Sequence, residues 1–329
     1  MHYKSLHQKI CWVYNYYGIV NLLKVTAFIL KLFCQGRLNK EHMHQQVEEI
    51  RYKKALARSN ISEGLIEIRY LDFKLKISAS DCGLAKNILV NKIRERVSTI
   101  FFDKILHGKM TILEIGANQG VYLVQEATRT SKDSAIYAFE PHPHNVRVLK
   151  ENVKLNNIES KTEIIECAVS DKAGRAELSI SRSSNWHRMI AAGNADINEK
   201  NNIITVNTTT IDSFCKKKGI DNIDLIRMDV EGFESSVIEG GREILKLSKN
   251  CMIFMEFHPR NMRMAGKDPI ALLETLKDLG FYCFAILDYS SPKVFCKKIK
   301  WTDLIPNLPF ILNKYPSHMF LSKEENKTV

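Results

Sequence analysis

Thr111-Ile-Leu-Glu-Ile-Gly-Ala-Asn-Gln-Gly120, followed by Ala135-Ile-Tyr-Ala-Phe-Glu140, decides the fold. A short apolar strand runs into a glycine turn, a helix-like segment follows, and a second apolar strand ends in a single carboxylate. This is the first βαβ unit of a nucleotide-binding α/β sheet. Gly116 and Gly120 let backbone approach a ligand closely, where a Cβ would intervene. Glu140 sits where an acidic side chain accepts from two ribose hydroxyls. The phosphate pattern G-x-G-x-x-G fails, because Asn118 and Val121 stand at its second and third glycine positions. A ribose without a pyrophosphate fits S-adenosylmethionine.

From Met110 onward, strand patterns fall near 111–115, 135–140, 161–167, 224–230, 251–257 and 281–287. Helical patterns fall near 120–131, 142–156, 234–248 and 268–279. The alternation predicts an α/β fold with a doubly wound, mostly parallel, Rossmann-like sheet. Between the third and fourth strands, β-like pieces at 175–182 and 203–211 replace the usual helix, around a polar loop with Trp186 and His187. Upstream, residues 64–77 alternate with period two and read as a hairpin closed at Leu71-Asp72, and a helix is expected over 83–107. Gly240-Gly241 within the 234–248 pattern reads as a point of close helix packing.

Ten Lys or Arg against three Glu give residues 1–60 a charge of +7, out of +11 for the chain. The rest is nearly balanced, which argues against an extended nucleic-acid footprint. The eight cysteines form no C-x-x-C pair and read as reduced, mostly buried thiols. Residues 10–33 are apolar and aromatic, but the longest uncharged run, Ile10–Leu23, is too short to span a bilayer. Lys24 would sit inside any longer span at about 3 kcal/mol. Two readings stand for this segment: a helix packed on the main domain, or an interfacial helix lying on anionic lipid. The expected location is cytoplasmic, with peripheral contact at the inner membrane face under the second reading. Residues 40–60 read as a basic helical connector, on which His42 and His44 point about 200° apart and do not share a metal.

Five ordered pieces resemble the FkbM family of methyltransferases: Leu113–Gly120, Ala138-Phe-Glu-Pro-His-Pro143, Ala168-Val-Ser-Asp171, Asp229-Val-Glu-Gly-Phe-Glu234 and Glu256-Phe-His-Pro259. Ser80–Leu89 also resembles that family's leading segment, so the likeness covers about residues 75–287. Glu114 departs from it, since Asp is more usual there. The resemblance implies a class I S-adenosylmethionine-dependent fold and O-methylation of hydroxyls on sugars or other small metabolites. It implies cofactor contacts from Glu114, Gly116, Ala117, Asn118, Gly120, Glu140 and Ala168. The pattern along the chain divides it into an N-terminal basic and apolar helical arm (1–60), outside the resemblance, a leading hairpin and helix (61–109), a methyltransferase domain (110–300) and a C-terminal tail (301–329).

Methyl transfer to an alcohol needs alignment and a base or metal to take the hydroxyl proton. Such groups belong at the carboxyl ends of the central strands. Asp229 and Glu231 are two apart at the end of the fourth, and Glu256 and His258 at the end of the fifth, so each pair shares a side of an extended chain. These four are the catalytic candidates, with Glu256 the more suited to buried support. Mg²⁺ is left open. The expected acceptor is a small-molecule or glycan hydroxyl. An RNA or DNA methyltransferase is the rival enzyme reading; against it, the fourth strand ends in Asp-Val-Glu-Gly rather than a pocket that stacks a flipped base. The third reading is a non-catalytic membrane-surface module. The oligomeric state is not legible.

Overall fold

The core strands are buried along nearly their whole length, and their side chains alternate between two faces of the sheet, each covered by its own layer. In β4 (Thr111–Ile115), Leu113 and Ile115 enter one core with Ile226 and Met228 of β11 (Leu225–Met228) and with Ile253, Met255 and Phe257 of β12 (Met252–Phe257). The side chains between them point to the opposite face. There Phe254 packs on Phe101 and Phe102, at ring distances of 6.0 and 4.9 Å.

The computed structural model describes residues 40–181, 183–190, 202–288, 301 and 317–324. The segment 10–33 and the last five residues lie outside these. Contacts divide the chain into two units, 1–59 and 60–329. In the first, the expected connector is α1 (Lys40–Leu56), with a Lys53–Glu49 pair at 3.7 Å. No helix among the described residues is long and apolar enough to cross a membrane.

In the second unit, the expected hairpin is β2 (Leu65–Tyr70) and β3 (Phe73–Ser78), edged by β1 (Ile61–Ser62). The continuous helix expected over 83–107 is instead two: α2 (Leu84–Asn91) and α3 (Arg96–Ile105). Lys92 and Glu95, at φ 69° and 45°, interrupt it. The Arg94 N–H donates to the Tyr70 hydroxyl at 3.1 Å, and its guanidinium turns inward to two carboxylates. Burying that charge with its partners outweighs helix continuity.

The main sheet then runs β4, α4 (Val121–Arg129), β5 (Ala135–Phe139), α5 (Pro143–Leu155) and β6 (Thr162–Ile165). The chain leaves the sheet for β7 (Ala168–Val169), β8 (Gly174–Ser179), β9 (Arg188–Met189) and β10 (Ile203–Thr209), a separate sheet of order β7-β10-β8-β9. A helix does follow these β pieces: α6 (Ile211–Lys218), not expected from the sequence. Its signals were present, since Thr210 accepts from the Ser213 N–H at 3.0 Å and Gly219 closes the helix at φ 68°.

After β11, the 234–248 pattern divides at the glycine pair into α7 (Glu234–Glu239) and α8 (Arg242–Leu247). A Cβ on Gly240 would stand 2.1 Å from the Ser170 carbonyl oxygen. Then come β12, α9 (Pro259–Met264), α10 (Pro269–Asp278) and β13 (Tyr282–Asp288). Residues expected as a C-terminal tail supply β14 (Ser317–Ser322), antiparallel between β12 and β13. The order is β13-β14-β12-β11-β4-β5-β6, parallel except at β14. The fold is therefore the expected doubly wound, Rossmann-like α/β sheet. Its order reverses between β4 and β11, where open α/β sheets bind ligands.

Candidate active site at the switch point

At that reversal the two strand ends nearly touch. The Asp229 N–H donates to Ile115 O at 3.1 Å, and the N–H groups of Gly116 and Ala117 both donate to Phe139 O at 3.0 Å. A Cβ on Gly116 (φ +81°) would stand 2.2 Å from the Asp229 carbonyl oxygen, so only glycine fits. Glu140 fixes the turn beyond it, accepting from the Asn118 N–H at 2.8 Å and the His142 N–H at 2.9 Å. Burial pushes its carboxyl up to about 7, against those hydrogen bonds.

A narrow pocket lies over this turn. Gly116, Asn118, Glu140, Ala168 and Asp229 contribute to its walls, and Leu178 and Met189 of the small sheet, with Ser184 and His187 from the segment between β8 and β9, close one side. Ala117 and Gly120 do not line it. Gly120 stands at the start of α4 with φ +90°, its absent Cβ leaving room for Leu149. Glu114 is fully buried under the sheet, paired with Arg227 at 3.1 Å, and does not line it either. His142 packs against His187 with ring centroids 4.5 Å apart.

A second cleft of about 950 Å³ adjoins it, with Trp186, Arg188, Glu256, His258 and Asn261 in its walls. Glu231 lies in the walls of both cavities. Its backbone is left-handed at φ 52°, and its Oε2 accepts from Asn261 Nδ2 at 2.6 Å. The next residue allows this, since a Cβ on Gly232 would stand 2.6 Å from the Asn261 carbonyl carbon. Burial, then the charges of Asp229 and Glu234, push the Glu231 carboxyl up to about 8.

Below the cleft runs a buried charge network. Arg227 meets Glu114 at 3.1 Å and Asp229 at 3.2 Å, and its guanidinium lies 4.1 Å over the Tyr122 ring. Arg94 meets Glu95 at 2.7 Å and Asp229 at 3.4 Å. The Tyr122 hydroxyl donates to Glu95 at 2.8 Å. His318, from β14, stands 3.4 Å from Glu95 and 3.0 Å from Ser98 Oγ. Burial would raise the Asp229 carboxyl, but the guanidiniums of Arg227 and Arg94 outweigh it and hold Asp229 below its ordinary range. Burial, then the Asp229 charge, push the Glu256 carboxyl well above its ordinary range.

Three of the four catalytic candidates thus meet at one place, and His258 lines the same wide cleft as Glu231 and Glu256. Oxygens of Asp229, Glu231 and Glu256 lie within 4.8 Å of one another. The donor set fits Mg²⁺ poorly, because Asp229 already faces the guanidiniums of Arg94 and Arg227. His258 caps α9, its Nδ1 accepting from the Asn261 N–H at 3.4 Å. Sequence reading missed Arg94, Glu95, Arg227 and His318. Of these only Arg227 carried a signal, a charge inside an otherwise apolar strand.

Comparisons with known proteins extend the picture. A family model, the methyltransferase FkbM domain, matches residues 114–283. The 2-O-methyltransferase NoeI of Sinorhizobium fredii is 29% identical over 177 residues, covering 50% of this chain and 70% of that protein. Among solved structures, M. jannaschii TYW2 in complex with AdoMet is 14% identical at a TM-score of 0.41, covering 80% of this chain and 86% of that one. An S-adenosylmethionine-dependent O-methyltransferase from Thermotoga maritima is 10% identical at 0.38, covering 72% and 68%. The family match takes in more than half of the chain, from Glu114 in β4 to Cys283 in β13, and so contains the whole switch point. By that match this chain belongs to the FkbM methyltransferases.

Proposed function

We propose that the protein moves the methyl group of S-adenosylmethionine to a hydroxyl oxygen of a saccharide, glycolipid or other small metabolite. The observation that carries this reading is the place of Glu231, a carboxyl with its ionisation near neutral pH in the wall between two adjoining cavities. The cofactor, when bound, supplies a methyl already activated on sulfur. Gly116 and Glu140 in the wall of the narrow pocket suit its nucleoside end. Glu231 takes the acceptor proton, a task that works best for a base whose pKa lies near the working pH. Asp229 stays ionised beside it. In neutral His258, Nδ1 is an acceptor, so Nε2 carries the proton and donates to the acceptor molecule. Trp186, 66% exposed in the second cleft among Asn and Ser side chains, suits a sugar face. The O-methyltransferase name of the NoeI relative agrees with an oxygen acceptor.

Methyl transfer from isotopically labelled S-adenosylmethionine into cell-envelope glycans, read by mass spectrometry with and without the protein, tests the reading. One methyl lost on deletion of the protein supports it. Label found in nucleic acid instead, or no calorimetric binding of the cofactor, overturns it.

The arm at 10–33 is proposed as a peripheral contact with anionic lipid. The basic excess of residues 1–60 and the aromatic content of 10–33 support sedimentation with anionic vesicles that weakens as salt rises. Full-length protein that stays in the supernatant at low salt removes this proposal.

A further inference from the structure

One short segment forms a wall of both cavities. Ser184, His187 and Met189 line the narrow pocket, while Trp186 and Arg188 line the wide cleft. From Trp186 to Met189 the sides alternate, as an extended chain requires. Whatever fixes this backbone on one side therefore sets the side chains on the other.

The segment is tied down at two points. His187 rests on His142, and its Nδ1 accepts from the Ser181 N–H at 3.0 Å. The other tie is Asp81, 4% exposed, between β3 and α2. Its Oδ1 accepts from the N–H groups of Gly83 at 2.9 Å, Leu84 at 3.1 Å and Ser184 at 3.4 Å. Its Oδ2 accepts from Gln119 Nε2 at 2.8 Å. Gln119 belongs to the glycine turn under the narrow pocket, and its Oε1 accepts from the Ser78 N–H at 2.9 Å. One buried carboxylate thus joins the leading segment, the glycine turn and the partition. No role in the chemistry explains an acid here, since Asp81 lines neither cavity.

We propose that Asp81 is a positioning residue: it locks the Ser183–Met189 partition to the glycine turn, so that filling the cofactor pocket sets the acceptor-facing Trp186. This rests on the assignment of the narrow pocket to S-adenosylmethionine. The coupling needs no movement of the strands, only loss of freedom in a segment held by a few hydrogen bonds. It makes the cofactor the first ligand to bind, because the acceptor cleft gains its finished wall only afterwards.

The test uses full-length protein and S-adenosylhomocysteine, the demethylated product, so no acceptor is needed. Trp186 emission is isolated as the difference between wild type and Trp186→Phe. In wild type, S-adenosylhomocysteine shifts that emission and lowers its quenching by acrylamide. Asp81→Asn presents an amide N–H to Gln119 Nε2 in place of an acceptor; it weakens binding by roughly tenfold. In that variant saturating ligand no longer moves the Trp186 signal. Circular dichroism confirms that it folds. A silent Trp186 in saturated wild type overturns the coupling without any variant. An Asp81→Asn protein with wild-type affinity and response removes Asp81 from the role. Absence of calorimetric binding to wild type sinks the cofactor assignment itself, a separate outcome.

Discussion

The guanidinium of Arg94 stands 3.4 Å from the Asp229 carboxylate, across 135 residues of sequence. It ties the break between α2 and α3 to the end of β11. Removing one partner of a buried pair leaves uncompensated charge, and here Glu95 and Asp229 would both lose a counterion. Arg94→Met should lower the unfolding free energy by about 3–5 kcal/mol. Urea unfolding checks it, and a loss well under 1 kcal/mol would mean that the network relaxes around the gap.

Glu231→Gln should lower turnover by roughly 10²–10⁴-fold and leave S-adenosylhomocysteine affinity nearly unchanged, since only the proton acceptor is lost. In wild type the base must be ionised, so turnover should rise with pH and level off above about 8. A variant that keeps this limb would pass the assignment to another group.

Glu140→Ala should weaken S-adenosylmethionine binding by roughly tenfold to a hundredfold. It removes the carboxylate offered to the ribose and frees the Asn118 and His142 N–H groups that hold the turn. Calorimetry reads the change, and full affinity in a folded variant would move the nucleoside elsewhere.

Glu234 gives a stability test with a definite sign. Burial raises its folded pKa from 4.5 to about 7, so the folded state holds the proton more tightly than the unfolded chain does. Its contribution is complete below about 4.5 and is lost as pH rises to about 7. Thermal midpoints should fall across that window, and less steeply in Glu234→Gln. Parallel curves for the two proteins would refute the shift.

Gly116→Ala and Gly108→Ala form a matched pair. Both glycines have positive φ, +81° and +65°, but only at Gly116 does a Cβ meet backbone, at 2.2 Å. Gly108→Ala should cost about 1–2 kcal/mol of backbone strain. Gly116→Ala should cost more and abolish cofactor binding. Equal effects would show that the approach of the β4 and β11 ends tolerates displacement.

Much of the sheet was legible because each core strand is an apolar run punctuated by glycine, proline or acid, as in Thr111–Glu140. The carboxylates at the strand ends were legible for the same reason. The two guanidiniums were not. Arg94 falls inside a continuous helical pattern, and nothing local indicates that Tyr70 and Asp229, both distant in sequence, will turn it inward. His318 lies in residues 288–329, which read as one more strand-like piece and a charged end, and its burial depends on β12 having a free edge. Glu114 reads as a ligand-facing acid because it precedes the glycine turn, yet strand alternation sends it beneath the sheet to Arg227.

The position of β14 sets a timetable for the newborn chain. β13 is made before β14 and, among the described strands, pairs with it alone, so it has no strand partner until β14 has left the ribosome. Until then the edge of β12 is open, its backbone groups unpaired and ready to recruit a strand from another molecule. The same arrival delivers His318 to Glu95. Docking of β14 is thus the step at which this sheet closes and the charge network beneath the cleft is completed, and chains that lack it are the species a chaperone would hold.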